Sequence, residues 1–158
     1  MNRIVYYNTV IGRICIVENE KSITNLYFEN SFHKVRYDIV EETPLLKKAN
    51  LELEEYFNGS RKLFDLPLAP EGTEFQKKVW SALGKIPYGE TRSYKEIAMA
   101  VGNPKAFRAV GMANNRNPIP IFIPCHRVIG SNGDLVGYGG GLNLKEKLLK
   151  IEKTNAAL

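Results

Sequence analysis

The sequence predicts a two-domain α/β protein: a small antiparallel sheet with one helix over residues 1–70, then a mostly helical domain over residues 71–158 containing a helix-turn-helix. Three observations predict it. Short β-like runs crowd the first thirty residues, two capping-box sequences open helices beyond residue 72, and a stretch with two prolines and no periodicity lies between the two patterns.

The β-like runs are Arg3 to Thr9, Gly12 to Glu18 and Ile23 to Phe28, separated by polar gaps of turn length, and they read as an antiparallel meander. Thr43 and Pro44 supply an N-cap and an N1 proline. Leu45, Leu46, Ala49, Leu53 and Tyr56 then recur near helical spacing until Gly59 closes the element. Leu66 to Gly72 reads as the linker. Thr73 and Gln76 form the first capping box, for a helix that carries Phe75, Val79 and Leu83 inward and ends at Gly84. Ser93 and Glu96 form the second, for a helix through Val101. Gly102-Asn103-Pro104 stops it, and another helical stretch runs from Lys105 to about Asn114, which completes a helix-turn-helix pattern. That last stretch is rich in small residues, Ala106, Ala109, Gly111 and Ala113. Close helix packing explains them, and so does close approach to a nucleic-acid groove with Arg108 projecting; Phe107 and Met112 interrupt the pattern.

Hydrophobic residues make up 44% of the chain and charged residues 25%, without repeats or low-complexity tracts, so disorder is excluded. No apolar run reaches secretory or bilayer-spanning length, and a cytoplasmic protein without a membrane partner is expected. Charge is uneven. Residues 1–70 hold 9 Lys/Arg against 10 Asp/Glu, whereas residues 71–158 hold 13 against 7, net +6, which suits a polyanionic partner or an ordinary solvated surface. Two cysteines, Cys15 and Cys125, cannot build a disulfide framework or a structural zinc site. With His33 as the only other N-terminal candidate ligand, no metal is expected. Cys15 lies in a half-buried strand pattern, where a small side chain is packing material.

From Asn115 to Pro124 three prolines stiffen the chain, and Cys125-His126-Arg127-Val128 follows. A free thiol is mostly protonated at neutral pH, so a reactive cysteine needs a base or a positive field. His126 and Arg127 are the candidates. The dipeptide alone fits a structural cysteine beside a surface histidine better. After the Gly-rich stretch 137–141 comes a final helix from about Leu142, in which Leu144, Leu148 and Glu152 share one face. A carboxylate on that face either frays into water or orients His126, as in a Glu-His-(water)-Cys relay. A non-catalytic helix-turn-helix DNA binder and a Cys-His hydrolase fit the same residues.

The segment Ile123-Pro124-Cys125-His126-Arg127-Val128-Ile129 resembles the active-site signature of the O6-alkylguanine-DNA alkyltransferases. Ser93-Tyr94, Gly102 to Ala106, Arg108 to Gly111, Asn117 to Ile121 and Gly137-Tyr138 resemble family segments in the same order. The resemblance covers about residues 73–155 strongly, and the first 70 only in general character. It implies a cofactor-free, single-turnover transfer of an alkyl group from O6-alkylguanine in double-stranded DNA to Cys125, with no obligate protein partner. His126 is then the water-mediated base, Glu152 its orienting carboxylate, and Asn117 the brace of the turn. Tyr94 helps rotate the nucleotide and donates to guanine N3, Arg108 fills the vacated stack, and Ser93 and Ala109 belong to the DNA-facing surface. Extrusion is required because the O6 substituent is otherwise stacked inside the duplex. The flipped base is expected among the Cys125 and Val128 carbonyls, the Tyr138 region and the Gly139 N–H; many relatives carry Ser where this chain has Gly139.

Overall fold

The computed structural model describes residues 1–157, which form two compact units, Met1–Glu71 and Gly72 onward. Each unit has its own core, and the expected fold class is the one observed.

In the first unit β1 (Arg3–Thr9), β2 (Gly12–Glu18) and β3 (Ile23–Phe28) form an antiparallel meander. A fourth strand, β4 (Ile39–Val40), adds to β1 in parallel and gives the order β3-β2-β1-β4. Two residues carry no period, so this parallel edge has no sequence signature. Cys15 is fully buried beside Ile4, Val17 and Val35, as packing requires, and burial pushes its thiol up to about 12. Helix α1 (Pro44–Phe57) is capped by Thr43, whose hydroxyl accepts from Leu46 N, and buries Leu46, Ala49, Leu53 and Tyr56.

The second unit is helical. Both capping boxes form, Thr73–Gln76 opening α2 (Glu74–Leu83) and Ser93–Glu96 opening α3 (Tyr94–Ala100). Val79 and Leu83 face the core as expected. Phe75 is only partly buried, and the neighbouring Trp80 takes the core position, its indole N–H donating to Ala113 O at 2.8 Å. Helix α4 (Phe107–Asn115) begins two residues later than its composition suggests, because Asn103–Ala106 is spent in a turn after Gly102, whose φ of 85° suits glycine. Val110, Ala113 and Asn114 point inward, while Phe107, Arg108, Ala109 and Met112 are exposed. The small residues therefore serve neither purpose alone: Ala113 packs, and Ala109 lies on the open face.

Short strands β5 (Arg92–Ser93) and β6 (Val128–Ile129) pair in parallel and join the start of α3 to the segment after Cys125. Helix α5 (Leu142–Asn155) closes the unit. Its buried positions are Lys145, Leu148 and Glu152, and Leu144 is only half-buried, so the inward stripe contains a lysine where a leucine was expected. Among the described residues no helix is long and apolar enough to cross a membrane.

Candidate active site

The site is built on the segment from Asn117 to Ile129. Its approach is strained: Ile121, β-branched and buried, has a φ of 72°, a conformation such residues avoid. Asn117 holds that approach from both sides. Its Nδ2 donates to Ile123 O at 2.8 Å and its Oδ1 accepts from Ile119 N at 3.0 Å. Strain is tolerated where surrounding contacts over-determine the backbone, and here they aim the next residues.

Those residues, Cys125–Arg127, form a single 3-10 turn whose three side chains are all buried. Cys125 is 4% exposed. Burial pushes its thiol up to about 11, against the opposing pull of a hydrogen bond from Asn117 and the positive charge of Lys145. At rest the sulfur is a thiol, and its proton must be taken during reaction.

His126 Nε2 lies 2.5 Å from Glu152 Oε2, both side chains being buried. Burial pushes the Glu152 carboxyl up, but the hydrogen bond and charge of His126 and those of Arg127 outweigh it and hold it at about 2. An ionised carboxylate can only accept, so Nε2 carries the hydrogen and the basic lone pair sits on Nδ1. Burial keeps the imidazole below its ordinary pKa, so it is neutral near pH 7. Glu152 has two further donors. Arg127 contacts it through Nε to Oε1 at 2.7 Å and Nη2 to Oε2 at 3.1 Å, and Gly89 N donates to Oε1 at 3.2 Å. Gly89 has a φ of 82°, and a Cβ there would lie 2.6 Å from that of Ala156, so only glycine brings its N–H in.

Around this centre, Lys145 Nζ donates to Val128 O at 2.5 Å, to Val136 O at 2.8 Å and to Gly137 O at 3.4 Å. Burial lowers its pKa to about 8. Tyr94, at the start of α3, donates its hydroxyl to the same Val136 O at 3.0 Å. Asn114 Nδ2 donates to Cys125 O at 3.3 Å, which also accepts from Val128 N as the turn closes.

The two units correspond to known modules. Residues 74–154 match the family model of the 6-O-methylguanine DNA methyltransferase DNA binding domain, and residues 2–70 that of its ribonuclease-like domain. The chain belongs to the 6-O-methylguanine DNA methyltransferase family. It is 53% identical over 156 residues to the methylated-DNA--protein-cysteine methyltransferase of Methanosarcina barkeri, covering 96% of this chain and 99% of that one. With the constitutive protein of the same name from Bacillus subtilis it shares 49% identity over 166 aligned positions, 97% of this chain and 96% of the relative. The structure of Mycobacterium tuberculosis OGT in complex with DNA superposes with a TM-score of 0.91 at 44% identity, over 97% of this chain and 94% of that one.

Within this member of the family, the structure brings Cys125, His126 and Glu152 into one buried cluster with the partly buried Asn117 beside it, and joins Tyr94 to the loop before Tyr138. Arg108 and Ala109 lie on the exposed side of α4; Ser93 is occupied as the N-cap of α3, and Gly139 is exposed. Sequence reasoning missed two participants and misplaced a third. Arg127 reads from the sequence as a helper of the thiol, yet it is bonded to the Glu152 carboxylate. Lys145 and Asn114 were not singled out, and both are buried against carbonyls of the acceptor segment. The i, i+7 spacing of Lys145 and Glu152, two turns apart on one face, was the available signal for the lysine.

Proposed function

We propose that this chain repairs O6-alkylated guanine in duplex DNA by transferring the alkyl group, once and irreversibly, to Sγ of its own Cys125. The observation that carries this reading is the buried Cys125-His126 turn with its imidazole fixed on an ionised Glu152.

The step follows from that geometry. The thiol proton passes, through a water, to His126 Nδ1 as the sulfur attacks the alkyl carbon; the carbon–O6 bond breaks and its electron pair stays on O6. Guanine leaves as an anion that Tyr94 stabilises by turning its hydroxyl from Val136 O to donate at N3, and the proton held by His126 balances the products. Such base assistance is required. With a thiol pKa near 11, free thiolate amounts to roughly one molecule in ten thousand at pH 7.

The flipped base occupies the space beside the Cys125 and Val128 carbonyls, Tyr138 and the Gly139 N–H. Arg108 and Ala109 face the duplex from α4, Arg108 filling the stack, with Ser93 at the start of α3 near the same surface. The net +6 of residues 71–158 suits the phosphate backbone. The protein works in the cytoplasm without metal, cofactor or obligate partner.

Incubation with a duplex containing one O6-methylguanine, followed by intact-mass measurement, tests this. One stable methyl adduct per chain is expected. An unchanged mass would indicate a binder, and repeated product release from unmodified protein a hydrolase.

A further inference from the structure

Met112 takes no part in the transfer step, yet it stands at the centre of the exposed face of α4. Turning about 100° per residue, the helix presents Arg108, Ala109, Met112, Asn115 and its C-cap Arg116 on one arc, and all of them are exposed. On that arc Met112 lies about 40° from Arg108 and about 60° from Ala109, while Phe107 falls well outside it. Met112 is 58% exposed. Lone exposed apolar side chains are ordinary on a protein surface, so exposure alone means little. Its position is what matters, because whatever docks flat on this face meets Met112 first.

The neighbours of Met112 identify what docks there. Arg108 and Arg116 stand one turn to either side of it, at i−4 and i+4, and their charges suit a polyanion. On the adjoining flank Gly111 faces Tyr94: a Cβ at Gly111 would lie 3.7 Å from Tyr94 Cε1, so the side chain assigned to rotating the nucleotide rests against the same helix. The occupant that fits is duplex DNA at the point of extrusion. Residues at i and i+4 are about 5–6 Å apart, more than one base step of about 3.4 Å. With Arg108 in the vacated place, Met112 therefore reaches the neighbouring base pair. An unbranched thioether adapts to an irregular apolar surface such as sugar rims and a partly unstacked base.

We propose that Met112 is a DNA-contacting residue whose side chain packs against the sugars and base edges beside the extruded nucleotide, adding an apolar contribution to duplex binding that salt does not screen. The arginines act by charge attraction, which weakens as salt rises, whereas burial of apolar area does not. The proposal rests on the reading that α4 faces the duplex.

Binding is measured with unreactive Cys125→Ser protein and a duplex bearing one O6-methylguanine, over a range of salt. Met112→Ala and Met112→Gln should each weaken binding about fivefold, the worth of part of a methionine's buried surface, and by the same factor at every salt concentration. Met112→Leu, which keeps the apolar volume, should stay within about twofold of the parent. With Cys125 restored, and below saturation, Met112→Ala should lower the ratio of the duplex repair rate to the rate with free O6-methylguanine base. Loss of folded protein lowers both rates and leaves that ratio unchanged. A Gln variant that binds as well as Met, or a factor that changes with salt, would overturn the apolar contact. Unchanged affinity and ratio in the Met112 variants, with Arg108→Ala still lowering its own ratio, would overturn the role of Met112 alone. If Arg108→Ala also leaves the ratio unchanged, the duplex does not meet α4 and this inference falls with that reading. Sedimentation showing a dimer that Met112→Ala separates, with DNA affinity unaltered, would overturn the proposal by assigning the face to a second copy of the chain.

Discussion

Arg127 and Glu152 form a buried, two-pronged ion pair, Nε to Oε1 at 2.7 Å and Nη2 to Oε2 at 3.1 Å, with the third guanidinium nitrogen donating to Ile86 O at 2.7 Å. The carboxylate that orients His126 is thus itself held in place by a planar fork. Removing one partner of such a pair leaves a buried charge short of compensation. Arg127→Met should therefore destabilise the protein by about 3–5 kcal/mol, and Arg127→Lys should recover only part of this, since a single ammonium cannot match both oxygens. Thermal melts of the two variants check it. Melting temperatures equal to wild type would show that the Arg127–Glu152 pair adds nothing to stability.

Glu152→Gln should change the pH dependence of repair. In wild type the base is neutral His126, whose pKa burial lowers, so the rate should be nearly flat around neutrality and decline only in acid. Gln cannot support the imidazolium that forms as the thiol gives up its proton. The variant must then rely on free thiolate, and since the thiol sits near 11, its rate should climb about tenfold per pH unit through the neutral and mildly alkaline range. Superimposable profiles would remove the relay.

The same carboxyl makes an acid-stability prediction. Its pKa falls from an ordinary 4.5 to about 2 in the folded chain, so the stability it contributes is complete above about 4.5 and is lost as pH falls toward 2. Denaturant unfolding at about pH 5 and about pH 3 should show a larger loss for wild type than for Glu152→Gln, which has no carboxyl to protonate there. An equal loss in both would mean that Glu152 carries no such linkage.

Arg108 is exposed on α4 and distant in chemistry from the thiol turn. Arg108→Ala should slow repair of a duplex much more than reaction with free O6-alkylguanine base, because extrusion is needed only from the duplex. Equal slowing on both substrates would assign Arg108 to the pocket or the fold.

Much of this was legible in the sequence because local signals and tertiary structure agree. Strands β1 to β3, the Thr43 cap and both capping boxes are short-range patterns, and the fold preserves them. Strands β4, β5 and β6 were not legible, since two residues have no period and pair only because loops bring them together. In the site, Cys125, His126, Asn117 and Glu152 stood out through motif and helix face. Arg127 stood out only as a charge beside the thiol, and Asn114 and Lys145 did not stand out at all, for one physical reason: a buried polar side chain is recognised through its partner, and the partners here are a carboxylate two dozen residues away and backbone carbonyls, which leave no trace in residue type.

The most direct measurement is site-resolved mass analysis of the protein after reaction with a duplex bearing one O6-methylguanine. Cys15 serves as the internal control, being fully buried with its thiol near 12. One methyl group per chain on Cys125, none on Cys15, and none on either residue in Cys125→Ser is the predicted result; methylation elsewhere, or repaired DNA with Cys125 unmodified, would contradict the account.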